Sequence, residues 1–245
     1  MLFPDSHILS QALQAEVSPA SEASHFALMQ RGRLRYLIAL RGGASRLAST
    51  LTPYSSKIRL LKVLLRIAPL RLLAKLGLGC FVRARLHPSL EEMLPEGCRW
   101  NMLVGTYWAK QKLVLQCFRP GEELCSFLKV GNEACATDME TEISFLEAPH
   151  HFKTLKLPEL LGARRAGEGC PFRLMLTREF RGEKVDPAMT AEIYALYKEL
   201  ASNTKGEHGQ TLALSHGDFA PWNMRRVRGG FILFDWEAAA YRPVG

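Results

Sequence analysis

Ser215-His216-Gly217-Asp218-Phe219-Ala220-Pro221-Trp222-Asn223, followed by Phe234-Asp235-Trp236-Glu237, is the stretch on which the reading of this chain turns. It sets an Asp, an Asn five positions on, and a second Asp twelve residues further, at the end of an apolar run. Leu212 and Leu214, just ahead of it, are apolar, as in a buried strand entering a loop. Between Asn223 and Asp235 the chain reads as a short strand from Met224, a turn at Gly229-Gly230, and a second strand through Ile232 and Leu233. That pattern predicts a hairpin. A hairpin returns its two ends to one place, so Asn223 and Asp235 come side by side, and two oxygen ligands at one place can share a cation.

Protein kinases carry the same order of residues as H-R-D-x-x-x-x-N followed by D-F-G. Here the forms are H-G-D-x-x-x-x-N and D-W-E. On these residues the chain resembles the aminoglycoside phosphotransferase/choline kinase-like family, a small-molecule branch of the protein-kinase-like fold. The resemblance implies that Asp218 is the catalytic base, taking the proton of a substrate hydroxyl as its oxygen attacks the γ-phosphate of ATP. It implies that Asn223 and Asp235 hold Mg²⁺, that His216 orients the loop, and that Glu237 supports it through hydrogen bonds.

The nucleotide side is read from fewer residues. Lys129 ends an apolar strand, where a lysine either snorkels outward or turns inward to meet an anion. Glu142 follows thirteen residues later on a predicted helix. The resemblance implies that these two are the strand lysine and helix glutamate that hold nucleotide phosphates. Glu140, two positions away, faces another direction on a helix. Gly105 and Thr106 open the expected phosphate-covering loop, Gly105 to Lys110, in which one glycine stands where protein kinases have G-x-G-x-x-G. Thr177 to Gly182 occupies the hinge position, where backbone groups grip the base, so ATP and GTP leave no distinguishing side chain.

Periodicity places strands at 100–104, 112–118, 124–130, 155–161 and 172–177. It places helices at 138–146, with Met139, Ile143 and Leu146 on one face, and at 187–202, with Met189, Ile193, Leu196 and Leu200 inward. The implied class is α+β: a bilobal protein-kinase-like fold with a mostly antiparallel small-lobe sheet and an incomplete helical large lobe. The expected domains are a basic, largely helical N-terminal extension over 1–95, a nucleotide lobe over 96–180, and the start of the large lobe over 181–245. Members of the family continue well past D-W-E, whereas this chain ends ten residues after Asp235. Two readings stay open: a truncated chain, or an N-terminal part that substitutes for missing helices.

A hydrophobic content of 47% and a charged content of 23% are ordinary for a globular protein of 245 residues. The six cysteines form no C-x-x-C pair and have no histidine at zinc spacing, so they read as reduced intracellular thiols. No secretory signal and no apolar run of spanning length is evident, which makes the cytoplasm the expected location.

The charge is uneven. Residues 23–90 carry thirteen of the 32 Lys and Arg and none of the 24 Asp and Glu. Within them, 55–78 predicts a helix with an apolar face and flanking cations, interrupted at Pro69. Residues 31–85 are thus a candidate surface for an anionic membrane, or a solvated basic face. Nucleic acid is disfavoured by the lack of interleaved aromatics. Two functions remain: an ATP- and Mg²⁺-dependent phosphotransferase acting on a small hydroxylated acceptor of aminoglycoside, amino alcohol or sugar type, or a non-catalytic kinase-like module that binds nucleotide or a partner.

Overall fold

The computed structural model describes residues 7–50, 56–105, 110–119, 124–165, 170–180, 182–186, 190–207 and 210–243. The chain begins with helix α1 (His7–Ala12) and strands β1 (Leu13–Val17), β2 (His25–Gln30) and β3 (Arg33–Ala39). Helices α2 (Gly43–Thr50), α3 (Ser56–Ile67) and α4 (Leu70–Lys75), strand β4 (Gly79–Leu86) and helix α5 (Pro88–Glu91) follow. Next come β5 (Arg99–Val104), β6 (Lys112–Phe118), β7 (Leu124–Gly131), α6 (Ala136–Glu147), β8 (Leu155–Lys156), β9 (Leu160–Arg164), β10 (Arg173–Arg178) and β11 (Glu183–Lys184). The last part holds α7 (Ala191–Ala201), β12 (Thr204–Glu207), β13 (Gln210–Ser215), β14 (Met224–Val227), β15 (Gly230–Leu233) and β16 (Ala240–Pro243). The class is α+β with large antiparallel sheets. Two compact units divide the chain: residues 1–136 with 162–177, and 137–161 with 178–245.

The first unit is built on a nine-stranded sheet of order β1-β4-β2-β3-β5-β6-β7-β10-β9. The pairs from β1 to β7 are antiparallel. Residues 1–95, expected as a helical extension, therefore differ from the sequence reading. They supply four strands as well as helices, and β3 pairs with β5, so no domain boundary falls at 95. The alternation that marks a strand is broken in β3 by a bulge. Leu28 pairs with Tyr36 and Met29 with Leu34, which leaves Arg35 as an extra residue. The bulge lets Leu34 and Leu37 join one core while Ile38 joins the other.

The sheet is buried on both faces. On β2, Phe26 and Leu28 pack with Leu47 of α2, Leu65 of α3 and Leu73 of α4. Ala27, between them, joins Leu9 of α1, Val82, Met102, Leu115 and Leu128 in the opposite core. Asn101 is buried in β5. Its amide donates to the Gly43 carbonyl (3.0 Å) and Gln116 Oε1 (3.2 Å), and its Oδ1 accepts from the Ala39 N–H (3.0 Å). This side chain ties the end of β3 and the start of α2 to the sheet, with each polar atom satisfied. His25, also buried, stacks on Trp100 at 4.0 Å and donates from Nε2 to the Trp100 carbonyl (3.1 Å). Burial pushes its pKa down to about 4, against the pull of that carbonyl.

The second unit carries a four-stranded sheet of order β11-β14-β15-β8 and a three-stranded antiparallel sheet β12-β13-β16. Its core gathers Leu155, Leu196, Leu200, Leu214, Met224, Phe231, Leu233 and Trp236. Helix α7 starts where Thr190 Oγ1 accepts from the Ile193 N–H (3.3 Å) and buries Ile193, Leu196 and Leu200, as its spacing predicts, whereas Met189, also expected inward, lies outside the described residues. The expected helical large lobe is only partly matched. Among the described residues of this unit, α6 and α7 are the α-helices, and β12 and β16 flank β13 on either side.

Candidate functional site

The hairpin predicted from Met224 to Leu233 forms, with Met224 opposite Leu233 and Val227 opposite Gly230. Its closure brings Asn223 to the base of the second strand, where the Asn223 carbonyl accepts from the Phe234 N–H (3.0 Å). Asp235 is the next residue. Its backbone sits at φ +71°, a left-handed conformation uncommon for a residue with a side chain. Arg31 shares that conformation among the described non-glycine residues, but lies in the tight turn between β2 and β3.

The loop that precedes the hairpin is held by His216. This buried imidazole donates from Nε2 to the Phe234 carbonyl (3.1 Å) and accepts at Nδ1 from the Asp218 N–H (3.2 Å). One ring therefore joins the backbones on either side of the site. Burial, the largest influence, pushes its pKa below the ordinary value, against the opposite pull of the Phe234 carbonyl and of the Asp235 and Asp218 carboxylates. A neutral ring is what both hydrogen bonds require.

Asn223 is buried beneath Asp218. Its Nδ2 donates to the Asp218 carboxylate (2.9 Å) and to the Asp218 main-chain oxygen (3.1 Å). The amide nitrogen is committed to Asp218, so its oxygen is the atom left to face a cation. Asp218 is itself exposed, its carboxylate fixed from below and open above. Gly217 makes the turn possible. Its φ is +84°, and a Cβ there would lie 2.5 Å from both the Cβ and the carbonyl oxygen of Ala238.

Glu142 enters this constellation from α6. Its carboxylate is buried, and Oε1 accepts from the Trp236 N–H at 3.2 Å. Trp236 is fully buried, stacks on Phe145 at 4.2 Å, meets His216 edge-on at 4.5 Å, and donates from its indole to the Leu233 carbonyl (2.7 Å). The sequence reading passed over Trp236 and Phe145 as site residues. Their signal was a Trp immediately after Asp235 and a Phe three positions beyond Glu142 on one helix face.

The structure thus brings Asp218, Asn223, Asp235 and Glu142 together in the second unit. Lys129 lies in the first unit, half-buried on β7 opposite Val114. Gly105, also in the first unit, donates its N–H to the Lys112 carbonyl (2.9 Å), and its carbonyl accepts from Arg35 (3.1 Å) and Gln111 (3.2 Å). A Cβ at Gly105 would approach the Lys112 oxygen to 2.8 Å, so hairpin closure accounts for this glycine, and its N–H is not turned toward a ligand. Thr106 lies outside the described residues.

Among the described residues no three His, Cys, Asp or Glu side chains gather as a metal cluster. The set here is of another kind: one carboxylate and one amide oxygen. Mg²⁺ is commonly held by such a small protein set, with phosphate oxygens and water completing six positions. The residues fit that ion. Comparison of the sequence with models of known protein families and with curated proteins finds no match in either.

Proposed function

We propose that the chain is an ATP-dependent phosphotransferase of the protein-kinase-like fold, acting on a hydroxyl of a small molecule. The observation that carries this reading is the Asn223 amide bonded to the Asp218 carboxylate while His216 spans Asp218 and Phe234. These bonds hold a solvent-facing carboxylate beside two oxygen ligands. Asp218 takes the hydroxyl proton of the acceptor, and Asn223 orients Asp218. Glu142 and His216 act as positioning residues, fixing the backbone on both sides of Asp235. Mg²⁺ at Asn223 and Asp235 would supply charge neutralisation for the phosphates. Lys129 is the residue we assign to the α- and β-phosphates.

Positioned groups of this kind are each worth ~2–4 kcal/mol at the transition state, or about two to three orders of magnitude in rate. The first test is calorimetric titration of ATP with and without Mg²⁺ on wild type and Asp235→Ala. Wild type is expected to bind in a Mg²⁺-dependent way, and the variant to lose that dependence. A folded wild type that binds no nucleotide would leave a kinase-like module without kinase activity.

A further inference from the structure

We infer that the outward face of α3 and α4 docks this protein on an anionic lipid bilayer. Both helices turn one side into the sheet: Ile58, Leu61 and Leu65 from α3, and Leu73 from α4, pack against Phe26, Leu28 and Ile38. The other side is also apolar. Leu60 is 60% exposed and Ile67 73%, Val63 and Leu72 are exposed on the same helices, and Leu76 (63%) and Leu78 are exposed in the turn that directly follows α4. Exposed aliphatic side chains gathered on one helix pair mark an interaction surface rather than ordinary scatter.

The cations among them choose the partner. Arg59, Arg66, Arg71 and Lys75 are exposed on the same two helices, and Lys62 is half-buried. No Asp or Glu occurs anywhere from residue 23 to residue 90. Other cations of that run are engaged within the protein. Arg83 pairs with Glu22 (2.9 Å) and Glu16 (3.6 Å), and Arg35 donates to the Gly105 carbonyl (3.1 Å). Five of the thirteen cations of the run, Arg59, Lys62, Arg66, Arg71 and Lys75, thus share one helical surface with exposed aliphatic side chains. An acyl layer beneath anionic headgroups satisfies both kinds of side chain at once. A nucleic acid would meet the cations but leave the six aliphatic side chains without a partner, and this face presents no aromatic residue for base stacking.

The inference does not rest on the phosphotransfer reading, because lipid binding requires no nucleotide. The test is co-sedimentation of the full chain with vesicles of phosphatidylcholine alone and of phosphatidylcholine mixed with phosphatidylglycerol. Binding is expected to the mixed vesicles only, and to weaken as salt is raised. The Arg66→Gln/Arg71→Gln variant should bind ~30-fold more weakly, given the usual worth of a surface cation near anionic lipid. Leu60→Asn/Ile67→Asn should lose binding with an unchanged thermal melt, because both side chains are exposed. Arg66→Lys/Arg71→Lys should retain it, so a variant that unfolds does not decide the matter alone. Equal sedimentation with both vesicles, or with neither, would overturn the proposal. So would salt-sensitive binding to duplex DNA without lipid binding, or a dimer that Leu60→Asn/Ile67→Asn converts to monomer without lipid binding.

Discussion

Glu142 on α6 and Trp236, the residue after Asp235, are joined by a 3.2 Å hydrogen bond from the Trp236 N–H to Glu142 Oε1. The helix thereby holds the backbone that carries the proposed metal ligand. Both partners are buried, so neither can turn to water if the other is removed.

Glu142→Ala should leave the buried Trp236 N–H without an acceptor, a loss of about 1–3 kcal/mol. Glu142→Gln keeps an acceptor oxygen and should lose less. Urea unfolding of the two variants beside wild type measures the difference. Equal stability of the two would mean that the hydrogen bond from the Trp236 N–H contributes little.

Asp235 is expected to separate strain from ligation. At φ +71°, Asn is among the few residues tolerated, so Asp235→Asn should keep wild-type stability to within ~0.5 kcal/mol. It should nevertheless lose Mg²⁺-dependent ATP binding, because the carboxylate is gone. Asp235→Val should in addition lose about 1–3 kcal/mol to backbone strain. Thermal melts and nucleotide titration on the same samples distinguish the two effects.

Gly217→Ala should disrupt the loop. The new methyl group combines a left-handed backbone with a 2.5 Å approach to the Ala238 carbonyl oxygen, a backbone atom that cannot swing aside. A loss of ~2 kcal/mol or more is expected. The amide of Asp218 should lose its protection from hydrogen exchange as the bond to His216 Nδ1 breaks.

The two buried histidines make stability depend on pH in one direction. The unfolded chain takes up a proton on His25 as the pH falls through 6.5, whereas the folded protein resists until about 4. The unfolded state therefore binds more protons between those values, and stability falls by about 3 kcal/mol as the pH drops across that window. His216, also lowered by burial, adds to the same trend below its ordinary value. Urea unfolding at a series of pH values should show the decline, and His25→Gln should flatten it. A slope unchanged in that variant would exclude His25 as its source.

Local chemistry was enough to read several parts from sequence. The glycine pair Gly229-Gly230 between two short strands determined the β14–β15 hairpin and the neighbourhood of Asn223 and Asp235, although the turn itself is Arg228-Gly229 and Gly230 already pairs with Val227. Pro69, which lacks an N–H and restricts the residue before it, determined the break between α3 and α4. The inward faces of α6 and α7 followed from helical spacing, with Met139, Ile143, Ile193, Leu196 and Leu200 all buried. These depend on residues a few positions apart.

What the tertiary structure decided depends on residues far apart in the chain. β1 to β4 join the same sheet as β5 to β7, but Arg35 interrupts the alternation of β3, and pairing across the sheet, rather than pattern, makes it a strand. The Trp236 N–H as partner of Glu142 is a contact between positions 94 residues apart, and no spacing rule reaches that far. Gly105 read as a phosphate-loop glycine, yet the approach of the Lys112 backbone is what requires it. Backbone groups and close packing carry no side-chain signature. The sequence by itself therefore determined the turns, breaks and helix faces, and only the folded chain decided which distant groups meet.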